Sequence, residues 1–183
     1  FAVKYYPLQG TTNSQYGTKN LEMLYDKVKI LEEYDIPLLI HGETTNPKVD
    51  IFKREYHFIT EELNPLIDKF PNLRVVMEHI STQQSAEFIN ELPKDSNVYA
   101  TITPHHLFID RNEMLSGGIN SHLYCMPILK SREDKEALAN LATSGNNRVF
   151  YGSDNAPHNQ KFKTLECCKA GIFNSPVGIQ ITT

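Results

Sequence analysis

Five short apolar runs, each separated from the next by a longer amphipathic stretch, constrain this chain more than any other feature of its sequence. They are Phe1 to Tyr6, Ile36 to His41, Leu73 to His79, Val98 to Thr103 and Arg148 to Asp154. Runs of this length, separated by segments long enough for a helix, are the pattern of βα units, and such units assemble a parallel sheet. The intervening segments agree. Leu21, Leu24, Val28 and Leu31 recur at helical spacing after a start near Thr18 and Asn20, and Phe88, Ile89 and Leu92 follow a Ser81-x-x-Gln84 capping pattern. Ser131-x-x-Asp134 opens another helix through Leu138 and Leu141, which Ser144-Gly145 is expected to close with a left-handed cap. With 183 residues, 40% of them hydrophobic, the chain can bury one sizeable core. Residues 1–183 therefore read as one domain or part of one.

The totals exclude several partners. Eighteen Lys and Arg against 22 Asp and Glu give a formal net charge of -4, and the basic residues are scattered, so no field for a nucleic-acid backbone is expected. Three cysteines, Cys125 and the adjacent Cys167 and Cys168, cannot build a disulfide framework and read as packing residues in a reducing, cytoplasmic setting. No run of about 18 apolar residues is present, and FAVKYYP is not a signal peptide. A membrane partner is not expected. The chain begins with Phe1 rather than Met, which reads as a segment of a longer protein.

The polar residues of the runs carry the chemistry. The active-site face of a parallel barrel lies at the carboxyl ends of its strands. Lys4 sits within the first run, and His41, His79 and Asp154 end the second, third and fifth. Two imidazoles and a carboxylate suit a zinc-type divalent metal, and hydrolytic sites often hold two metals about 3.5 to 4 Å apart. Lys4, expected to be buried among Phe1, Val3 and Tyr5, would have a depressed pKa. Its amine could add carbon dioxide and become a carbamate bridging two metals. Taken singly, a strand-end histidine is more often a hydrogen-bonded structural group, Lys4 a surface lysine, and Asp154 a turn residue or helix cap. Their joint position at successive strand ends favours a metal site.

The strings KYYP, GTTNS, PLLIHGE, VVMEHIS, ATITPHHL, HLYCMPILK and GSDNAPH occur in this order from residue 4 onward. Together they resemble the single-domain bacterial dihydroorotases of the amidohydrolase superfamily, over nearly the whole chain. The resemblance implies a (β/α)8 TIM barrel of the metal-dependent hydrolase type, of which residues 1–183 would supply strands four to eight. It further implies two zinc ions per subunit, bridged by Lys4 as N6-carboxylysine made from carbon dioxide. His41 and His79 would bind the more exposed metal. Asp154 would be both a ligand and the catalytic proton carrier. Thr11 and Thr12 resemble a mobile loop that closes over substrate, hinged at Gly10, and Met126, His158 and Ala170 match substrate-contacting positions. Met126 stands where leucine is common. The substrate would be dihydroorotate or N-carbamoyl-aspartate, in a homodimer of the pyrimidine pathway. Hydantoin-like amides, and a non-catalytic scaffold role, are the alternatives. The family's His-x-His pair, and the early arginine and asparagine that grip the substrate, do not occur in these 183 residues, so the chain alone is expected to be inactive. His57, His105, His106 and His122 are expected to be surface or loop-organising residues.

Overall fold

A computed structural model describes residues 1–182. The apolar runs form strands β1 (Val3–Tyr5), β2 (Leu38–His41), β3 (Val75–Glu78), β4 (Val98–Ile102) and β5 (Val149–Tyr151). They pair in chain order, and every pairing is parallel. The crossovers carry α1 (Tyr25–Glu33), α2 (Arg54–Phe58), α3 (Asn64–Lys69), α4 (Gln83–Glu91), α5 (Pro104–Phe108), α6 (Arg111–Leu115) and α7 (Arg132–Thr143). After β5 come α8 (Gln160–Lys163) and α9 (Gly178–Thr182). A doubly wound sheet reverses its strand order at a switch point. This sheet never does, and it is the wall of a (β/α)8 barrel.

Alternation along the strands makes two unlike faces. Tyr5, Ile40, Met77 and Ala100 share one register row, and Leu38, Val75 and Val98 share another; all are buried. They form a single core with Val28 of α1, Phe58 of α2, Leu66 of α3, Ile89 of α4, and Leu138 and Leu141 of α7. The helices therefore cover one face. The other face carries Lys4, Leu39, Val76 and Tyr99 in one row, with His41 opposite Glu78 above it. Chemistry is confined to this second face and the loops at its carboxyl end.

Local sequence explains the helices. Asn20 Oδ1 accepts from the Met23 N–H at 3.3 Å and starts a 3-10 turn (Glu22–Leu24) leading into α1. A π turn (Ile59–Leu63) joins α2 to α3, where Pro65 has no N–H for an α-helical ladder. Ser131 and Asp134 form the expected capping box of α7, and Gly145 follows its end at φ 78°. The cap of α4 differs from expectation. Thr82 and Ser85 form its box, and the Glu55 carboxylate accepts from the hydroxyls of both Ser81 and Thr82, at 2.8 and 2.5 Å. A second, smaller core of Met114, Cys125, Ile128, Leu129 and Ile172 supports the long connection between β4 and α7. Among the described residues no helix is long and apolar enough to cross a membrane.

Candidate functional site

At the carboxyl end of the sheet lies a cavity of ≈ 230 Å³. Lys4, His41, His79 and Asp154 line it from four different βα units. Thr11, Thr12, Met126, His158 and Ala170 also line it, so the residues expected from the sequence to hold metal or contact substrate share one cavity. Glu78, which sequence reasoning passed over, is another wall.

Lys4 does not sit among Phe1, Val3 and Tyr5 as expected. Phe1 and Val3 are exposed, and Tyr5 is buried in the helix-side core, because strand alternation turns Lys4 to the opposite face. There its ammonium pairs with the Glu78 carboxylate and lies 5.0 Å from the centre of the Tyr6 ring. Burial lowers the Lys4 pKa to about 8, against the opposing pull of Asp154. A free amine is thus accessible near neutral pH.

His41 and His79 meet edge to face, with ring centres 4.7 Å apart. His41 ends β2, and its Nε2 donates to Glu43 Oε2 at 2.9 Å. Burial would raise the Glu43 pKa, but the His41 hydrogen bond and the charges of Lys130 and Arg54 hold it below the ordinary carboxylate value. His79 follows β3 and adopts a left-handed backbone, φ 47°. Its main-chain N–H donates to Thr101 Oγ1 at 2.7 Å, fixing that turn to β4. Burial, then the nearby charges of His41, Lys4 and His106, push the His79 pKa well below its ordinary value. The ring is neutral and keeps a lone pair, and its buried Nδ1 has no hydrogen-bond partner among the described residues.

Asp154 lies beyond β5, also left-handed at φ 38°. Burial raises its pKa, while Lys4 and His41 oppose the shift. Such backbone conformations cost about 1–3 kcal/mol each and persist where surrounding contacts over-determine them. The neutral imidazole of His79, the adjacent His41, the Asp154 carboxylate and the accessible Lys4 amine form a donor set that fits a zinc-type ion.

The opposite wall is built by a loop after α8. Ala170 O accepts from Thr12 Oγ1 at 3.3 Å and is 2.9 Å from His158 Nε2. Lys163, buried in α8, donates to Tyr124 O, Lys169 O and Gly171 O at 2.9, 2.8 and 2.8 Å. All three ammonium hydrogens are satisfied, and they tie the segments bearing Met126 and Ala170 together. Gly10 has no left-handed φ; its side of the loop is close to Pro7, whose Cγ would lie 2.6 Å from an added Cβ. Tight packing therefore requires glycine there.

A second group, His105, His106 and Cys125, presents ligand-type atoms within 4.8 Å of one another. His106 has no spare lone pair, since Nε2 donates to Pro127 O at 2.9 Å and Nδ1 is held by Thr103 Oγ1 at 2.7 Å. Burial pushes the Cys125 thiol up to about 12, so it stays protonated and donates to Pro127 O. This group organises the connection after β4, as expected for His105 and His106. His57 is half-buried and pairs with Glu61, and His122 is exposed. Neither approaches the cavity.

The sequence pattern of the family described as Amidohydrolase matches residues 11–172. A dihydroorotase of Coxiella burnetii is 51% identical over 180 residues, which is 98% of this chain and 51% of that relative. The dihydroorotase of Saccharomyces cerevisiae, solved with 5-fluoroorotic acid, superposes with a TM-score of 0.89 at 32% identity, covering 98% of this chain and 52% of that one. That of Campylobacter jejuni does so with 0.86 at 40% identity, covering 99% and 50%. The chain spans about half the length of the curated relatives it matches. A family pattern over most of the sequence, on a barrel wall whose chemistry gathers at the strand ends, shows that this chain belongs to the amidohydrolase family.

Proposed function

We propose that the chain is part of the barrel domain of a zinc-dependent dihydroorotase, interconverting dihydroorotate and N-carbamoyl-aspartate. The observation that carries this reading is the convergence of Lys4, His41, His79 and Asp154 from four βα units on one cavity. Two zinc ions bound there would supply Lewis-acid polarisation of the ring carbonyl and an acidified water. Lys4, as a carbamate, would bridge the pair, and His41 with His79 would hold the more exposed ion. Asp154 would take a proton at its carboxylate from the attacking water and deliver it to the leaving nitrogen. Burial holds its pKa above the ordinary value, which suits a group that must carry and then release a proton. Thr11, Thr12 and His158, with backbone groups at Met126 and Ala170, would bind the substrate carboxylate and amide and exclude water. The family resemblance extends the reading to a cytoplasmic homodimer in pyrimidine synthesis. A His-x-His pair outside these 183 residues would complete the buried metal's ligands.

The test is zinc content and turnover of the intact protein, with dihydroorotate set against a panel of hydantoins. Dihydroorotate is expected to be preferred, and Lys4→Ala is expected to lose zinc and turnover together, with partial rescue by a short carboxylic acid. Preference for a hydantoin would overturn the substrate assignment. Normal zinc and rate in Lys4→Ala would overturn the carbamate, and an intact protein without zinc or turnover would mark a scaffold.

A further inference from the structure

Behind His41 is a pair of charges that no contact with substrate explains. Glu43 and Lys130 are both buried, and neither lines the cavity. Glu43 Oε2 takes the His41 Nε2 hydrogen at 2.9 Å, and Oε1 has no hydrogen-bond partner among the described residues. Lys130 Nζ stands 4.0 Å from Oε1. It also donates to Ser81 Oγ at 3.1 Å and Ile128 O at 2.9 Å, and Ser81 is fixed in turn by Glu55. Withdrawing a carboxylate and an ammonium from water is costly, and apolar replacements of such pairs are often no less stable. Stability alone therefore gives little reason for this arrangement.

The geometry at the imidazole gives a better one. A carboxylate can only accept, so His41 must carry its hydrogen on Nε2. The remaining lone pair is then on Nδ1, which makes no hydrogen bond among the described residues and belongs to the ring packed against His79. We propose that Glu43 is a positioning residue that commits Nδ1 of His41 to the metal and fixes the ring's orientation, and that Lys130 is its buried counter-charge. This inference rests on His41 being a metal ligand. It also connects two walls of the site, because Lys130 ends the HLYCMPILK segment that contains Met126.

Partners of this kind typically change metal affinity by about 10–100-fold when removed. The experiment strips the intact protein with a chelator and titrates zinc back in competition with a chromophoric chelator. His41→Ala is expected to lose one tight zinc; unchanged binding there would show that His41 is no ligand and would overturn the metal reading itself. With that arm positive, Glu43→Leu is expected to weaken the same zinc by about 10–100-fold. The double variant Glu43→Gln/Lys130→Met keeps an acceptor for Nε2 and leaves no lone buried charge, and it is expected to stay within about threefold of wild type. Histidine ¹⁵N spectra of the zinc-loaded wild type, which need no variant to fold, are expected to show hydrogen on Nε2 and metal at Nδ1 of His41. Wild-type affinity in Glu43→Leu, weak binding in the folded double variant, or metal at Nε2 would each overturn the proposal.

Discussion

Two histidine pairs stand at the carboxyl end of this sheet with the same ring separation. His41 and His79 are 4.7 Å apart, and so are His105 and His106. Both pairs are buried, so neither distance nor burial distinguishes a ligand pair from a packing pair. Lone pairs do. His106 spends both nitrogens inside the fold, on Thr103 and Pro127. His105 Nδ1 accepts from the Asn174 amide at 3.2 Å, so its hydrogen is on Nε2, which is buried without a partner among the described residues. The first pair makes one internal side-chain bond, from His41 to Glu43. A histidine whose lone pair is spent inside the fold has none to offer a metal. One whose ring is left open to a cavity is free to bind what enters it.

The comparison is sharpest under alanine substitution. His79→Ala in the intact protein is expected to lose zinc and reduce dihydroorotate turnover by at least about 10³-fold, since a metal ligand carries both Lewis acidity and water activation. His106→Ala should keep the zinc stoichiometry and lose about 1–3 kcal/mol of stability, since the Thr103 hydroxyl loses its buried acceptor and Pro127 O keeps only the Cys125 thiol. Zinc analysis and denaturant melts check both, and loss of zinc in His106→Ala would break the distinction.

A second test uses pH. Burial lowers the His105 pKa from 6.5 to about 4. The unfolded chain therefore takes up a proton first as pH falls. Stability from this group is fully present above pH 6.5 and is lost between there and about 4, amounting to roughly 3 kcal/mol. Denaturation of metal-free protein at pH 7.5 and 4.5 measures it. His105→Gln should flatten that part of the dependence, and an unchanged slope would show that His105 is not held neutral.

The smallest expected effect concerns the opposite wall. Thr11→Val with Thr12→Val removes two hydroxyls while preserving shape, and turnover should fall by about 10–100-fold with zinc content unchanged. Loss of zinc together with rate would make the loop part of the metal-binding architecture.

Much of this was legible in the sequence because the signals were local. Each apolar run contains its strand, and the Ser131/Asp134 box and Gly145 bound α7 as expected. What escaped was decided by tertiary partners. The α4 cap fell to Thr82 rather than Ser81, in a turn whose two hydroxyls and two main-chain N–H groups are all held by Glu55 from another βα unit. Lys4 found Glu78 on β3 rather than its own chain neighbours. Glu43, Lys130 and Lys163 sit within or beside recognisable motifs, yet a charged letter in a sequence does not disclose that it is buried, or what it faces.

His79 and Asp154 are the two candidate ligands with left-handed backbones. Histidine, aspartate and asparagine are the side-chain-bearing residues that visit this region most readily, so here the types able to bind metal are also types the turn accepts. Asparagine satisfies the turn but is a far poorer zinc ligand. A single change of Asp154 to Asn would then leave the backbone at ease and the chemistry lost. On the proposed reading, the step from a strand end that holds metal to one that does not is a single codon and meets little resistance from the fold.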